Sequence, residues 1–246
     1  MTGPEIPESH PRYESLLTRH RIEAGVDRGL TSRQGLIAQG RGEAFDYLLG
    51  EETIPSADDA ERVAAAHLLR ADHPVLSVNG NVAALAPGEI VALAQATGAD
   101  VEVNLFNRTD ERIGRIETHL REHGAETVKG STADGRIPGL DHERAKVDAD
   151  GIGAADVVLV PLEDGDRAEA LAAMGKTELV VDLNPMSRSA RSAAVPIVDN
   201  LIRAVPNMIE HAVELADADD GTLDAIVDSF DPEDALAAAE ERIRDV

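Results

Sequence analysis

After residue 73, five short segments of aliphatic and β-branched residues recur along the chain, and segments with helical spacing separate them. A strand that is buried on both faces has this short apolar pattern, and parallel strands need a crossover helix between them. The alternation therefore predicts an α/β domain with a mostly parallel sheet and helices on both faces. The five predicted strands are Pro74–Asn79, Val101–Leu105, Asp156–Pro161, Glu178–Leu183 and Val195–Val198.

The first 72 residues carry helical rather than strand patterning. Helices are predicted over residues 11–30 and 56–71, with a helical pair between 30 and 50 that Gly40-Arg41-Gly42 interrupts, because glycine is a common turn residue. From Asp217 the chain becomes acidic and loses the strand–helix alternation. We therefore predict one domain over residues 1–216, with a helical start (1–72) and an α/β core (73–216), followed by an acidic helical tail (217–246).

The interior of this fold has to be filled almost without aromatic side chains. Hydrophobic residues make up 43% of the 246 residues, aromatic residues only 2%, and there is no Trp. Small aliphatic residues suit valine-rich parallel strands packed by alanine-rich helices. The chain has no Cys, which excludes disulfides, thiolate metal sites and a cysteine nucleophile. Residues 1–11 lack an apolar run and no segment has the length of a bilayer span, so a cytoplasmic location is expected.

The charge balance is strongly acidic. There are 47 Asp and Glu against 23 Lys and Arg, for a net charge of −24. A surplus of carboxylates repels polyanions, so nucleic acid and anionic membranes are not expected as partners. An acidic, solvated surface of this kind is typical of proteins from salt-loving organisms, because concentrated salt screens its self-repulsion. The charge therefore indicates a habitat rather than a function.

Polar residues follow four of the predicted strands. They are Asn79-Gly80-Asn81, Asn104 with Phe106-Asn107-Arg108, residues 163–167, and Asp182 with residues 184–189. In doubly wound sheets, ligands bind beyond the carboxyl ends of the strands. Any one of these loops could be ordinary turn chemistry. Four of them at one edge of a sheet predict a ligand site.

Familiar phosphate and metal motifs are incomplete. Gly175-Lys176-Thr177 resembles the end of a P-loop, but residue 170 is Ala, and Gly151-Ile152-Gly153 is followed by Asp at 156 instead of a third glycine. His119 and His123 lie four residues apart on a predicted helix without the glutamate of a zinc-protease motif, and we interpret them as a solvated pair. Gly40-Arg41-Gly42 is either a turn or a place where backbone and an arginine approach a phosphate.

Several segments, read together, resemble archaeal phosphopantothenate synthetase, the 4-phosphopantoate–β-alanine ligase. The resemblance covers roughly Ile6 to Leu215 and leaves the acidic tail outside it, and Gln39 stands where His is expected in that family. The segments that carry it are IPESHPRYESL, GLIAQGRGEAFDYLLGE, VNGNVAAL, EVNLFNRTDER, IPGLDHERAKV, DVVLVPLEDGDRAEAL, VDLNPMSRSA and IVDNLIRAVPNM.

The resemblance implies a Rossmann-like core, a homodimer and a reaction on the route to coenzyme A. In that reaction ATP, 4-phosphopantoate and β-alanine give 4'-phosphopantothenate, AMP and diphosphate, with Mg²⁺ as cofactor. By similarity, the ATP contacts fall on Arg19, Arg41, Asp182, Leu183, Asn184, Arg188, Ser189, Asp199 and Asn200.

The implied chemistry needs no protein nucleophile. The pantoate carboxylate would attack the α-phosphorus of ATP to give an acyl adenylate, and the amine of β-alanine would then displace AMP. The protein has to position the reactants and offset phosphate charge. Arg19 and Arg41 are expected to offset that charge, and Asp182 and Asn184 to contact adenine or ribose.

The remaining roles stay open between neighbours. Lys146 or Arg144 is expected to hold the substrate phosphate, and Asp164 or Asp166 to receive the β-alanine ammonium or to hold Mg²⁺, while no set of metal ligands stands out. Two other functions share the predicted fold class, a nicotinamide-dependent oxidoreductase and a non-catalytic nucleotide sensor. The first lacks a glycine-rich dinucleotide fingerprint, and the second would bind ATP without turnover.

Overall fold

A computed structural model describes residues 6–7, 9–10, 12–162 and 164–245. The helices are α1 Tyr13–Asp27, α2 Arg33–Leu49, α3 Pro55–Arg70, α4 Gly80–Leu85, α5 Pro87–Thr97, α6 Asp110–Glu122, α7 Gly165–Ala173, α8 Arg188–Ser192, α9 Leu201–Leu215, α10 Asp220–Asp228 and α11 Pro232–Arg244. The strands are β1 Pro74–Val78, β2 Asp100–Val103, β3 Gly135–Arg136, β4 Lys146–Val147, β5 Val157–Pro161, β6 Thr177–Val181 and β7 Val195–Ile197.

The predicted parallel sheet is confirmed. Five strands lie in the order β2-β1-β5-β6-β7, and each neighbouring pair is parallel. Successive side chains of a strand point to opposite faces. On β5, Leu159 therefore packs into the core beneath α3, α5 and α9, whereas Val158 and Val160 pack into a smaller core with Leu171 of α7. Helices thus cover both faces, as the strand–helix alternation predicted.

The smaller core is completed by a largely irregular segment that the sequence patterning missed. Between α6 and β5 this segment forms the short antiparallel pair β3–β4 and a single 3-10 turn at Glu143–Ala145. Glu102 of β2 holds it, because its buried carboxylate accepts backbone N–H groups from Asp148 at 3.0 Å and from Ile152 at 2.6 Å. Burial raises the pKa of Glu102 to about 7, although the two backbone hydrogen bonds act against the rise.

The predicted break at Gly40-Arg41-Gly42 is wrong, because α2 runs without interruption from Arg33 to Leu49. A Cβ on Gly42 would lie 3.2 Å from the side chain of Leu183, so this glycine allows close packing within a helix rather than a turn. The helix ends instead at Gly50, whose φ of 107° is the left-handed conformation of a helix C-cap.

The acidic tail is helical, as predicted, and it packs on the rest of the chain. It contributes the buried residues Leu223 of α10 and Ala239 of α11 to two hydrophobic clusters. Arg242 also donates to the carbonyl oxygen of Leu49 at 3.0 Å, which ties α11 to the end of α2. The domain boundary at residue 216 stays a prediction. None of the described helices has the length and apolar character of a membrane-spanning segment.

We expect Gly25→Ala to destabilise the fold. A Cβ at this position would lie 2.5 Å from the Cβ of Ala84, so α1 and α4 would have to separate. Overpacking of this kind typically costs about 1–3 kcal/mol of unfolding free energy. Chemical denaturation in concentrated salt measures the change.

Gly114→Ala is the matched control, because Gly114 lies within α6 and a Cβ added there would meet no atom of the described chain within 4 Å. Replacing an unobstructed helical glycine by alanine should stabilise by roughly 0.5–1 kcal/mol. Equal unfolding free energies for the two variants would contradict the close α1–α4 contact.

Candidate active site

Because the five strands are parallel, their carboxyl ends meet at a single edge of the sheet. The residues that follow them are Asn79, Asn104, Leu162, Asp182 and Val198, after β1, β2, β5, β6 and β7 respectively. A cleft opens at this edge below α2. This is the location that the polar strand ends predicted.

The larger part of the cleft, lobe A, has a volume of about 660 Å³ and lies between α2, the loop after β6 and the first turn of α7. Its lining residues are Ala38, Arg41, Gly42, Phe45, Phe106, His142, Leu162, Asp164, Gly165, Asp166, Asp182, Leu183, Asn184, Ser187, Arg188 and Ser189.

The smaller part, lobe B, has a volume of about 300 Å³ and lies between the start of α2, the N-terminus of α4 and α6. It is lined by Thr31, Ser32, Gln34, Gly35, Ala38, Arg41, Asn79, Gly80, Asn81, Leu105, Phe106, Asn107, Arg112, Arg144, Leu162 and Asp164. Five residues line both lobes, namely Ala38, Arg41, Phe106, Leu162 and Asp164. The two lobes are therefore neighbouring compartments of one cleft.

Asp182 anchors the loop that forms the floor of lobe A. One carboxylate oxygen accepts the backbone N–H of Asn184 at 3.0 Å, and the other accepts the hydroxyl of Ser187 at 2.6 Å. Ser187 in turn caps α8 by accepting the N–H of Ala190. Burial raises the pKa of Asp182, while these hydrogen bonds and the charge of Arg41 oppose the rise.

Arg41 reaches both lobes because α2 crosses the cleft as one continuous helix. Further along the cleft, the guanidinium of Arg188 pairs with Asp166 at 2.5 Å, and Arg144 pairs with Asp164 at 3.3 Å. Lobe A therefore offers arginines beside carboxylates, an arrangement that can bind an anion and an ammonium group side by side.

Lobe B brings two arginines together. Arg144 is only 7% exposed, and Arg112 donates to the carbonyl oxygen of Leu30 at 3.0 Å and to that of Asn107 at 3.2 Å. Burial and the nearby positive charge of Arg144 lower the pKa of Arg112. Two guanidiniums held close in a partly buried pocket repel each other, so an anion bound between them would be stabilised.

The wall of lobe B is held by amide and hydroxyl side chains. Asn79 caps α4 by accepting the N–H groups of Asn81 and Val82, and it donates to the carbonyl oxygen of Pro161 at 3.0 Å. The side chain of Asn81 donates to the carbonyl oxygen of Gly35, and its Oδ1 accepts the hydroxyl of Thr31. The loop after β1 is thus fixed to β5 and to α2, the elements that carry the other lining residues.

The predicted site residues divide into two groups. Six of the nine predicted ATP contacts, and Asp164, line lobe A: Arg41, Asp182, Leu183, Asn184, Arg188 and Ser189. Arg19 and Lys146 line neither lobe. The Arg19 Nε lies 2.9 and 3.1 Å from the carboxylate oxygens of Glu43, and Lys146 pairs with Glu143 at 2.8 Å.

Asp199 and Asn200, the other two predicted ATP contacts, belong to a buried polar network behind lobe A. Asp199 accepts from Thr53 at 2.6 Å and from Arg203 at 3.0 Å, and Asn200 donates to Asp46 of α2 at 2.7 Å. Arg203 also pairs with Asp46. The network therefore ties α2 to α9. Whether it contacts a nucleotide stays a prediction.

Glu61 of α3 is the fully buried acid of this network. Its Oε2 accepts from Asn207 at 2.8 Å. Burial, followed by the negative charge of Asp199, raises the pKa of Glu61 to about 9. Burial and the nearby charge of Asp199 thus both favour the protonated form of Glu61.

Arg112, His142 and Phe45 line the cleft although the sequence patterns did not single them out. One signal was present for Arg112, because it lies in the first turn of the helix that follows β2, and that turn has to start at the carboxyl edge of the sheet. His142 and Phe45 lie on elements whose path over the cleft depends on tertiary packing, so no local pattern marks them.

Mg²⁺ is expected from the resemblance, and two carboxylates of lobe A are candidates to hold it. Among the residues that the structure describes, no group of three or more His, Cys, Asp or Glu side chains could hold a metal. Mg²⁺ is commonly bound through one or two carboxylates together with substrate phosphates. Asp164 and Asp166 in lobe A fit that mode.

Comparison with known proteins finds relatives that share one enzyme name. A profile of the phosphopantothenate/pantothenate synthetase family matches residues 56–246. A 4-phosphopantoate–β-alanine ligase of Thermococcus kodakarensis is 55% identical over 241 residues, which cover 98% of this chain and 92% of the relative. A ligase of the same name from Methanosarcina mazei is 52% identical over 241 residues, covering 98% and 95% of the two chains. The matched residues include the acidic tail, so the expectation that the tail lies outside the resemblance is wrong.

We expect Glu61→Gln to change how stability depends on pH. Between the unfolded pKa of Glu, near 4.5, and its folded pKa of about 9, the folded chain keeps a proton that the unfolded chain releases. The unfolding free energy therefore falls as pH rises through this window. Glutamine has a similar shape but does not titrate. The unfolding free energy of the variant, relative to that of the natural protein, should therefore rise between about pH 5 and pH 9.

Denaturant unfolding across that pH range, at constant salt, measures the effect. Glu214→Gln is the control, because Glu214 is 65% exposed and pairs only at the surface with Arg62 and His211. Parallel pH profiles for Glu61→Gln and the natural protein would show that Glu61 is ionised in the fold.

Proposed function

Because the chain belongs to the phosphopantothenate/pantothenate synthetase family, we propose that it is a ligase that joins 4-phosphopantoate to β-alanine with the cleavage of ATP to AMP and diphosphate. The observation that carries the proposal is the two-lobed cleft, in which Arg112 and Arg144 meet beside a larger lobe lined by the predicted ATP contacts. The three reactants need two adjoining compartments of this kind, one for a nucleotide and one for a phosphorylated acid.

Lobe B takes the phosphate of 4-phosphopantoate. A phosphate monoester carries close to two negative charges at neutral pH, and arginine binds its oxygens with two parallel hydrogen bonds. The repulsion between Arg112 and Arg144 is relieved when such a dianion lies between them. We therefore assign the substrate phosphate to these two arginines, and Arg144 in preference to Lys146, whose ammonium faces Glu143 outside the lobe.

Lobe A takes ATP. Its volume suits a nucleotide, and Asn184, Ser189 and the carboxylate of Asp182 offer the hydrogen-bonding groups that adenine and ribose need. Arg41 and Arg188 face the same space and can offset the charge of the triphosphate. Arg19, Asp199 and Asn200 remain proposed ATP contacts by resemblance, and Arg19 would have to exchange Glu43 for a phosphate.

The first step is a reaction between 4-phosphopantoate in lobe B and ATP in lobe A. A carboxylate oxygen of 4-phosphopantoate donates an electron pair to the α-phosphorus, and the bond from that phosphorus to the bridging oxygen breaks, so diphosphate leaves with the electron pair. The product is an acyl adenylate. Arg41 lines both lobes, which places its charge where the attacking and leaving groups meet.

The second step uses β-alanine. Its amine attacks the acyl carbon, an amide forms, and AMP leaves with the electrons of the C–O bond. Asp164 borders both lobes and is the proposed partner of the β-alanine ammonium. Asp166 would help to hold Mg²⁺, which would supply positive charge to offset that of the diphosphate. We also propose a cytoplasmic location and adaptation to salt, in keeping with the acidic composition.

The purified protein in concentrated salt, with ATP, Mg²⁺, 4-phosphopantoate and β-alanine, tests the function. We expect AMP and diphosphate in amounts equal to the ligated product, and AMP only when both acid and amine are present. ADP release would contradict the adenylate route. ATP binding without any product would favour the nucleotide sensor, and an absorbance change with a nicotinamide cofactor would favour the oxidoreductase.

Substitutions at the two lobes should separate their roles. Arg112→Gln should raise the KM for 4-phosphopantoate about 10–100-fold with little change in the KM for ATP, since a hydrogen bond to a charged group contributes about 1.5–3 kcal/mol. Arg41→Ala should abolish ligation while the protein keeps its fold. Arg115→Gln is the control on α6, because Arg115 pairs with Glu111 outside both lobes. If Arg115→Gln raised the KM as much as Arg112→Gln, the assignment of lobe B would be wrong.

We further propose that the chain forms a homodimer through the outer face of α2. Leu36, Ile37 and Tyr47 are exposed there, with Ile37 at 68% and Tyr47 at 65%, and the small residues Gly40 and Ala44 lie between them in the helix. Two copies with a charge of −24 each repel one another, so a stable contact needs an uncharged face like this one.

Light scattering in concentrated salt should give twice the chain mass of 26.1 kDa for the natural protein. Ile37→Glu should shift it to the monomer, because a buried unpaired charge is costly. Val213→Glu is the control, since Val213 is exposed to a similar degree, 66%, on α9. A dimer that survives Ile37→Glu would place the interface elsewhere.

A further inference from the structure

We propose that His142 is a catalytic residue of the second step, the group that takes the proton from the β-alanine ammonium. This inference rests on the proposed function. An amine attacks an acyl carbon only with its electron pair free, and β-alanine arrives as an ammonium ion. A ligase of this type therefore needs a proton acceptor close to the acyl adenylate.

His142 lines lobe A, in the loop before β4. Its ring lies against Phe106, with centroids 5.4 Å apart and planes tilted by 33°. Phe106 lines both lobes, so the imidazole is held at the junction where the acyl group of one compartment meets the nucleotide of the other. None of the other histidines that the structure describes lines either lobe.

Nδ1 of His142 is buried and has no hydrogen-bond partner among the described residues. Nε2 is not among the buried atoms without a partner, and we assign it as the nitrogen that meets a bound reactant. Buried polar atoms are nearly always paired. An unpaired Nδ1 on a side chain that lines the cleft therefore calls for a functional explanation. Among the described residues no hydrogen bond fixes the tautomer, so Nε2 can present a lone pair to a bound reactant.

The charged groups around His142 suit the task. Glu143 beside it is neutralised by Lys146, and Arg144 is paired with Asp164. The other ionisable groups that line lobe A are Arg41, Asp164, Asp166, Asp182 and Arg188, with Asp141 next to His142 in the chain. Asp164 can hold an ammonium group in place, and the imidazole, the side chain that exchanges protons near neutral pH, can then accept from it.

Protons and electrons balance in this step. Nε2 takes one proton from the ammonium, and the freed electron pair of the nitrogen forms the bond to the acyl carbon. When the C–O bond to the adenylate breaks, its electrons leave with AMP. The new amide nitrogen then gives up its second proton to solvent or to the AMP phosphate.

His142→Gln, which can hydrogen bond but cannot accept a proton, tests the role when the two half-reactions are measured apart. Exchange of labelled diphosphate into ATP, with 4-phosphopantoate and no β-alanine, reports the first step. We expect it to stay within about threefold of the natural protein. AMP release with β-alanine should fall roughly 10²–10⁴-fold. Hydroxylamine reacts as a neutral amine and needs no base, so it should restore AMP release in the variant.

The inference is overturned if ligation with β-alanine persists in His142→Gln, if both half-reactions fall together, or if hydroxylamine gives no rescue. Phe106→Leu is the companion variant. If His142 only packs against Phe106, the two substitutions should change the two half-reactions in the same way. The pH profile of β-alanine ligation adds a readout, because the profiles of the natural protein and of His142→Gln should differ in shape if the imidazole accepts the proton. Absence of exchange in the natural protein would instead contradict the adenylate route itself.

Discussion

The parallel alignment of five strands is the constraint on which the site depends. Each strand ends at the same edge, so residues as distant in the chain as Asn79, Asp164 and Asp182 come to line one cleft. A parallel sheet has to be covered on both faces, and here α3, α5 and α9 cover one face while α7 and the segment before β5 cover the other. The helices therefore cover the faces of the sheet and leave the carboxyl ends of its strands accessible at the cleft.

The amino-acid sequence predicted the parts of this fold that follow from local pattern. The apolar runs located five strands to within one or two residues, and the polar residues that follow them pointed to the edge of the sheet where the cleft opens. The break at Gly40 was predicted wrongly because glycine's turn preference was weighed alone. Burial of Leu49 and packing of Leu183 against Gly42 outweigh that preference, and α2 continues through both glycines.

Other parts could not be predicted because they depend on contacts between distant segments. The path of residues 124–156 is set by Glu102, a buried carboxylate whose partners lie some 50 residues away along the chain. Asp199 and Asn200 follow a strand like the other candidates, yet their hydrogen bonds go to Arg203 and Asp46, since side chains of α9 and α2 meet there. A strand end predicts which edge a side chain occupies but not which neighbour it contacts.

The continuous α2 has a consequence for how the two compartments communicate. Arg41 lines both lobes with its single positive charge. An anion bound in one lobe would therefore weaken the attraction between Arg41 and an anion in the other lobe. Linkage requires this effect to be reciprocal, whichever reactant enters first. The affinities of the two lobes are thus tied together by one guanidinium, and reactant binding will show interference at equilibrium rather than independence. Concentrated salt would weaken such coupling, because it screens the charge that the two lobes share.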